Sequence, residues 1–134
     1  MTKENIVNED IAMLPISAIA QSLGVNQRTL RIWDKEEILS PKRTAKNRRH
    51  YSLNDLKKGR FIVFLMRNLA IGSISGVKIV FKLLEKNNIK KENYMSYMEE
   101  IALLVGIDEN VQKENIEKTS NKGAKPKNNK NNED

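Results

Sequence analysis

Gly24 separates two short stretches of helical periodicity, and this break constrains the fold more than any other residue in the chain. Before it, Ile16, Ile19, Ala20 and Leu23 recur on one face, with Ser17 placed to cap their helix. Glycine supplies the tight turn, Val25 is set to drop into a core, and Asn26 to cap a second helix from Gln27 to about Glu37. On that second helix Leu30 and Trp33 fall on the packed side. Arg28, Arg31 and Lys35 repeat the same spacing on another face, with Ile32 beside them. The pattern predicts a helix-turn-helix within residues 16–37.

The flanking segments extend this unit. Pro15 biases Leu14 away from helix, so residues 14–16 read as a short extended lead-in. Pro41 ends the helical region. Lys42–Thr44 and Arg49–Tyr51, joined by the polar loop Ala45–Arg48, then form a candidate β-hairpin. Ser52 followed by Asp55 is a capping box for a third helix, roughly Leu53–Leu69, whose run Phe61–Met66 is apolar all round. Residues 70–72 turn, and Ser73 caps a fourth helix carrying Ile74, Val77, Val80, Phe81 and Leu84, which Asn87 and Asn88 stop. Residues 92–105 give one more amphipathic helix, with Tyr94, Met98, Ile101 and Val105 at helical spacing. Residues 1–12 read as a flexible polar extension. Residues 108–134 are rich in Lys, Asn and Glu and nearly devoid of apolar side chains toward the end, so they read as a disordered tail.

Charge narrows the partners. The net charge of +7 is unevenly spread: residues 1–90 hold 17 Lys and Arg against 8 Asp and Glu, a net +9, whereas residues 91–134 hold 7 against 9, a net −2. The positive field therefore belongs to the head and suits nucleic acid or an anionic membrane surface. Its basic residues lie on turns and a hairpin and not on a basic amphipathic helix, which favours nucleic acid and argues against a membrane partner. At 134 residues, 39% hydrophobic, the chain has room for one modest helical domain with an appendage. With no cysteine and His50 the single histidine, thiolate and histidine metal sites and nucleophilic triads are not expected. No reactive pair at useful spacing is present, so the chain reads as a non-enzyme without metal or cofactor. The absence of a signal segment or a long apolar run points to a soluble, cytoplasmic chain.

The order helix-turn-helix, wing, long helix, short helix resembles the MerR family of transcriptional regulators. Ile19-Ala20 and Gly24-Val25 match its first-helix and turn signature. Thr29-Leu30-Arg31-Ile32-Trp33-Asp34 is similar to its Thr-Leu-Arg-aromatic-aromatic-acid run. Pro41-Lys42-Arg43 resembles its Pro-x-Arg, Arg49-His50-Tyr51-Ser52 its Arg-x-Tyr-Ser with Asp55-Leu56 following, and Ile74-x-x-Val77-Lys78 its fourth-helix element. The match spans about residues 14–86. Two departures stand out. Asn47-Arg48 occupies the place of the family's wing-tip glycine and aromatic, and the helix after Asn87–Lys91 is short for a dimerisation helix.

The resemblance implies a mostly α fold: a winged helix-turn-helix DNA-binding domain over residues 13–86, and a short C-terminal dimerisation helix within 87–107. It implies a bacterial, sequence-specific transcriptional regulator that binds double-stranded DNA as a homodimer on a palindromic operator, with RNA polymerase a further partner. The lack of cysteine and of a sizeable C-terminal ligand domain departs from the family's sensors and points to no built-in metal or large-ligand sensor. The wing and the missing effector domain lean toward a repressor-like member, such as the heat-shock repressor branch. Asn26, Gln27, Arg28 and Arg31 are candidates for base edges in the major groove. Trp33, Lys35, Arg43, Lys46, Arg48, Arg49 and Tyr51 are candidates for the DNA backbone. Tyr94, Met98, Ile101 and Val105 are candidates for dimerisation.

Plainer readings stand beside these. Arg28 and Arg31 could be a solvated helix face, Lys46, Arg48 and Arg49 a charged loop, and Trp33 a core residue. His50 alternates away from Arg49 and Tyr51 as a packed or rim side chain, and the Tyr/Met stripe could fold back on its own protomer. Lys57, Lys58 and Arg60 are either further phosphate contacts or ordinary exposed helix cations. At the level of function, an architectural or recombination-accessory DNA-binding protein of the excisionase or chromosome-anchoring kind is the alternative, and a module docking an acidic protein is a third reading.

Overall fold

The computed structural model describes residues 8–107; the expectations for the start of the N-terminal extension and for the tail from 108 lie outside the described residues. The fold is mostly helical, with a small antiparallel sheet. Its elements run β1 (Leu14–Pro15), α1 (Ile16–Leu23), α2 (Gln27–Lys35), β2 (Lys42–Arg43), β3 (Arg49–Tyr51), α3 (Leu53–Val63), α4 (Ile74–Lys86) and α5 (Tyr94–Val105). This is a winged helix-turn-helix followed by a C-terminal helix.

Local capping sets most boundaries. Asn26 accepts the Thr29 N–H at 2.7 Å, and Ser73 accepts that of Gly76. Ser52 and Asp55 exchange both bonds of the capping box. Gly24 closes α1 at φ 70°, and Val25 N–H reaches back to Ala20. Ser17 is not the cap of α1. The helix begins two residues earlier than that cap would set, at Ile16, with extended Pro15 at the cap position and no side-chain bond there.

α2 stops two residues before the expected Glu37. Glu37 itself turns left-handed at φ 62°, Ile38 N–H bonds Trp33 C=O and Glu37 N–H bonds Asp34 C=O, which satisfies the last carbonyls in a Schellman motif. Asn88 at φ 59° ends α4 in the same way, with Ile89 N–H on Leu84 C=O.

The lead-in is more than an extended approach. Leu14 pairs with Tyr51 and Pro15 with His50, making β1 a third strand in the order β1-β3-β2. Residues 9 and 10, expected in a loose extension, are also tied down. Glu9 C=O accepts Asn54 N–H, its carboxylate meets Lys57 at 2.8 Å, and Asp10 accepts the Asn54 amide at 2.6 Å.

One core joins all the helices of the head. Ile19, Leu30, Leu39, Ile62, Leu65 and Val77 are fully buried within it, with Trp33 and Phe61 beside them. α3 crosses α1 at Gly59, where a Cβ would stand 2.6 Å from Leu23 Cδ1. The third helix does not run on as α to Leu69: Phe64–Asn68 widen into a π turn, with Leu69 N–H on Phe64 C=O. Both Phe64 and Leu65 are buried there.

α5 starts at Tyr94 after a 3₁₀ turn, Lys91–Asn93. Tyr94 and Met98, expected to pair protomers, pack on the chain's own core. The Tyr94 ring lies 5.6 Å from Phe61 and 6.1 Å from Phe81. An aromatic pocket within the same chain is reached without the translational entropy that association costs. Ile101 is half-buried, and Val105 faces outward with Leu103 and Leu104.

Candidate nucleic-acid interface

The outer face of α2 follows from its own sequence. Leu30 and Trp33 anchor the inner side, and a helix advances about 100° per residue, so Arg28, Arg31, Ile32 and Lys35 point away from the core. Asn26, at the cap, is exposed with them. Gln27 Oε1 accepts from Arg31 Nη2 at 3.2 Å, one turn later, so two of the base-reading candidates are already oriented against each other. The Arg28 side chain has no hydrogen bond or ion pair among the described residues. This end of the helix has the donors and acceptors that base edges in a major groove require.

The wing is held beside it by charge. Lys42 pairs with His50 and Arg43 with Arg49, so the two arginines are directly opposed across the strands. Both converge on Asp34 of α2: Arg49 Nε donates to Oδ2 at 2.7 Å and Arg43 Nη2 to the same oxygen at 3.1 Å. Arg43 Nη1 also donates to Asn47 C=O at 3.2 Å. At the tip, Thr44 C=O accepts from Asn47 N–H and Thr44 Oγ1 from Arg48 N–H. Asn47 is left-handed at φ 63°. Asparagine tolerates that region better than other non-glycine residues, which explains how the tip turns without the family's glycine. Lys46 and Arg48 project from it, exposed.

Two backbone candidates are corrected. Trp33 is 3% exposed and its ring belongs to the core cluster, so it serves packing ahead of phosphate contact. Tyr51 has no exposed surface at all, and its hydroxyl has no hydrogen-bond partner among the described residues; desolvation pushes its pKa up to about 12. Both aromatic rings belong to the core that supports the interface. His50 is half-buried on β3.

The cations of α3 divide. Lys57 is paired with Glu9, Lys58 sits over the Phe81 ring at 5.2 Å, and Arg60 is exposed. Burial, and then the neighbouring Lys91 charge, hold the Lys58 pKa below its ordinary value. An open cleft beside this helix is lined by Lys42, Lys57, Lys58, Lys78, Lys82 and Lys91 and by as many carboxylates, so it carries no net charge to select an ion. Asp34 and Arg67 were not singled out in the sequence. The acid that closes the Thr29–Asp34 run is the available signal for Asp34; Arg67, which donates to Gly24 C=O at 2.7 Å, leaves none.

Among the described residues no helix is long and apolar enough to cross a membrane. A profile of the MerR HTH family regulatory proteins matches residues 14–78, the span from β1 into α4. A relative from Streptomyces coelicolor (strain ATCC BAA-471 / A3(2) / M145), described as "Putative heat shock protein HspR", is 34% identical over 77 residues, which cover 58% of this chain and 50% of the relative. The chain therefore spans about half the length of that relative.

Proposed function

Residues 14–78 being a helix-turn-helix domain of the MerR family, we propose that the chain is a sequence-specific transcriptional regulator that docks as a homodimer on a palindromic operator. The observation that carries this reading is the outward face made by Asn26, Arg28 and Arg31, with half-buried Gln27 among them, and the basic wing fixed beside it. In this reading Asn26, Gln27, Arg28 and Arg31 meet base edges, while Lys35, Lys46 and Arg48 hold phosphates and set the register. Ile32, exposed on the same face, is suited to a thymine methyl. The three exposed apolar residues Leu103, Leu104 and Val105 at the end of α5 supply the surface on which two protomers pair. Work on chromosomal DNA would place the protein in the cytoplasm, in contact with RNA polymerase at its promoters. Kinship with a relative described as a heat shock protein supports a stress-linked regulon.

Selection from a random duplex pool tests the reading. The expected product is one motif repeated as an inverted pair, with half-sites about one helical turn apart. Recovery of no motif would overturn it and favour an architectural role.

A further inference from the structure

Resting on the DNA-binding reading, we propose that Asp34 is the positioning residue of the wing, and that it withdraws Arg43 and Arg49 from phosphate binding. One carboxylate oxygen receives a guanidinium from each wing strand, at 2.7 Å and 3.1 Å, and those strands are opposed in register at these two residues. The oxygen thus joins the reading helix to both arms of the hairpin. Asp34 and Arg49 side chains are only 15% and 21% exposed, so solvent screens this pair weakly; Arg43, at 41%, is the looser member. Arg43 spends a second donor on the Asn47 carbonyl and so passes the restraint to the wing tip.

Two consequences separate this role from a generic surface ion pair. Arg43, with donors on the carboxylate and a carbonyl, and Arg49, with its Nε on the same carboxylate, leave the phosphate contacts of the wing to the exposed Lys46 and Arg48. Asp34 is also a negative charge placed next to a polyanion. Electrostatics alone predicts that removing it tightens DNA binding. A positioning role predicts the reverse, because the wing then loses its angle to α2.

The test uses the full chain, first free and then with a duplex recovered from a random pool. In the free protein the Arg49 Nε–H gives a resonance protected from solvent exchange, and Asp34→Asn abolishes it. On the duplex, Asp34→Asn weakens binding by about tenfold or more, the equivalent of one charge-assisted hydrogen bond, and Asp34→Glu recovers part of the loss. Arg49→Gln lowers affinity without changing the salt dependence, whereas Arg48→Gln reduces the slope of log K against log salt by about 0.9. Melting curves exclude variants that do not fold, and Arg49→Gln probes the same link from the wing side. Equal or tighter binding by Asp34→Asn, or a fall of about 0.9 in slope for Arg49→Gln, overturns the proposal. Should the unaltered chain select no duplex, the regulator reading fails; the exchange measurement then decides alone, and an unprotected Arg49 Nε–H in the unaltered protein rejects the link.

Discussion

Arg67 Nη2 donates to the Gly24 carbonyl at 2.7 Å, tying the π turn after α3 to the turn between α1 and α2. The angle of the reading helix therefore depends on a residue far from it in sequence. Arg67→Ala leaves that carbonyl without its charged donor. The side chain is exposed, so the expected loss of stability is about 1 kcal/mol. Urea denaturation measures it, and DNA affinity falls in parallel; unchanged values on both counts would show that the contact positions nothing.

Gly59 has no room for a methyl group. A Cβ there meets Leu23 Cδ1 at 2.6 Å and Leu39 Cδ2 at 3.4 Å, and both leucines are buried. In an open helix Gly→Ala would gain about 1 kcal/mol in propensity. Here overpacking outweighs the gain, and Gly59→Ala is expected to lose about 1–2 kcal/mol net. A thermal melt decides the sign: a higher Tm for the variant would mean that α1 and α3 separate freely.

What could be read from the sequence follows from the range of the forces involved. Caps at Asn26, Ser52 and Ser73 bond residues three positions away, so local patterns identify them. Leu30 and Trp33 were legible as core by spacing on one helix. The pairing of Leu14 with Tyr51 joins segments separated by the whole helix-turn-helix, and no local signal marks it. The same holds at the interface. Exposed Arg28, Arg31 and Arg48 stand out by charge and position, but the capture of Arg43 and Arg49 by Asp34 needs the wing folded onto α2. Tyr51 is a DNA-backbone candidate by the family resemblance alone, and the β1–β3 pairing encloses it.

That enclosure gives Tyr51 a pH signature. Its hydroxyl ionises near 10 when unfolded and near 12 in the fold. Below 10 both states keep the proton and this group adds no pH dependence. Between those values the unfolded chain releases a proton that the folded chain holds, so stability falls as pH rises, by about 1.4 kcal/mol at pH 11. Tyr51→Phe lacks this loss. Near neutral pH the variant is expected to equal or exceed the unaltered chain, because the hydroxyl it removes has no partner among the described residues. Denaturation at about pH 8 and pH 11 checks both statements; a destabilised phenylalanine variant with the same pH dependence as the parent would contradict them.

α5 should separate folding from association. Tyr94 is packed against Phe61 and Phe81, and Tyr94→Ala is expected to destabilise the protomer by about 3 kcal/mol. Leu104, 78% exposed, contributes little to that core. Leu104→Asp is expected to leave the Tm of the protomer near its original value and to lower the mass in solution from dimer to monomer. Light scattering distinguishes the outcomes; a Leu104→Asp protein that stays dimeric would move the interface elsewhere.

The most direct measurement of the central claim is binding to a selected duplex and to its scrambled counterpart across a salt series. The unaltered chain is expected to prefer its site by about a thousandfold or more. Arg31→Ala shrinks that ratio, because Arg31 reads bases, while Arg48→Gln keeps the ratio and lowers the salt slope by about 0.9. A ratio near one for the unaltered chain, or an Arg31→Ala variant that discriminates as well as its parent, would contradict the assignment of α2 as the reading helix.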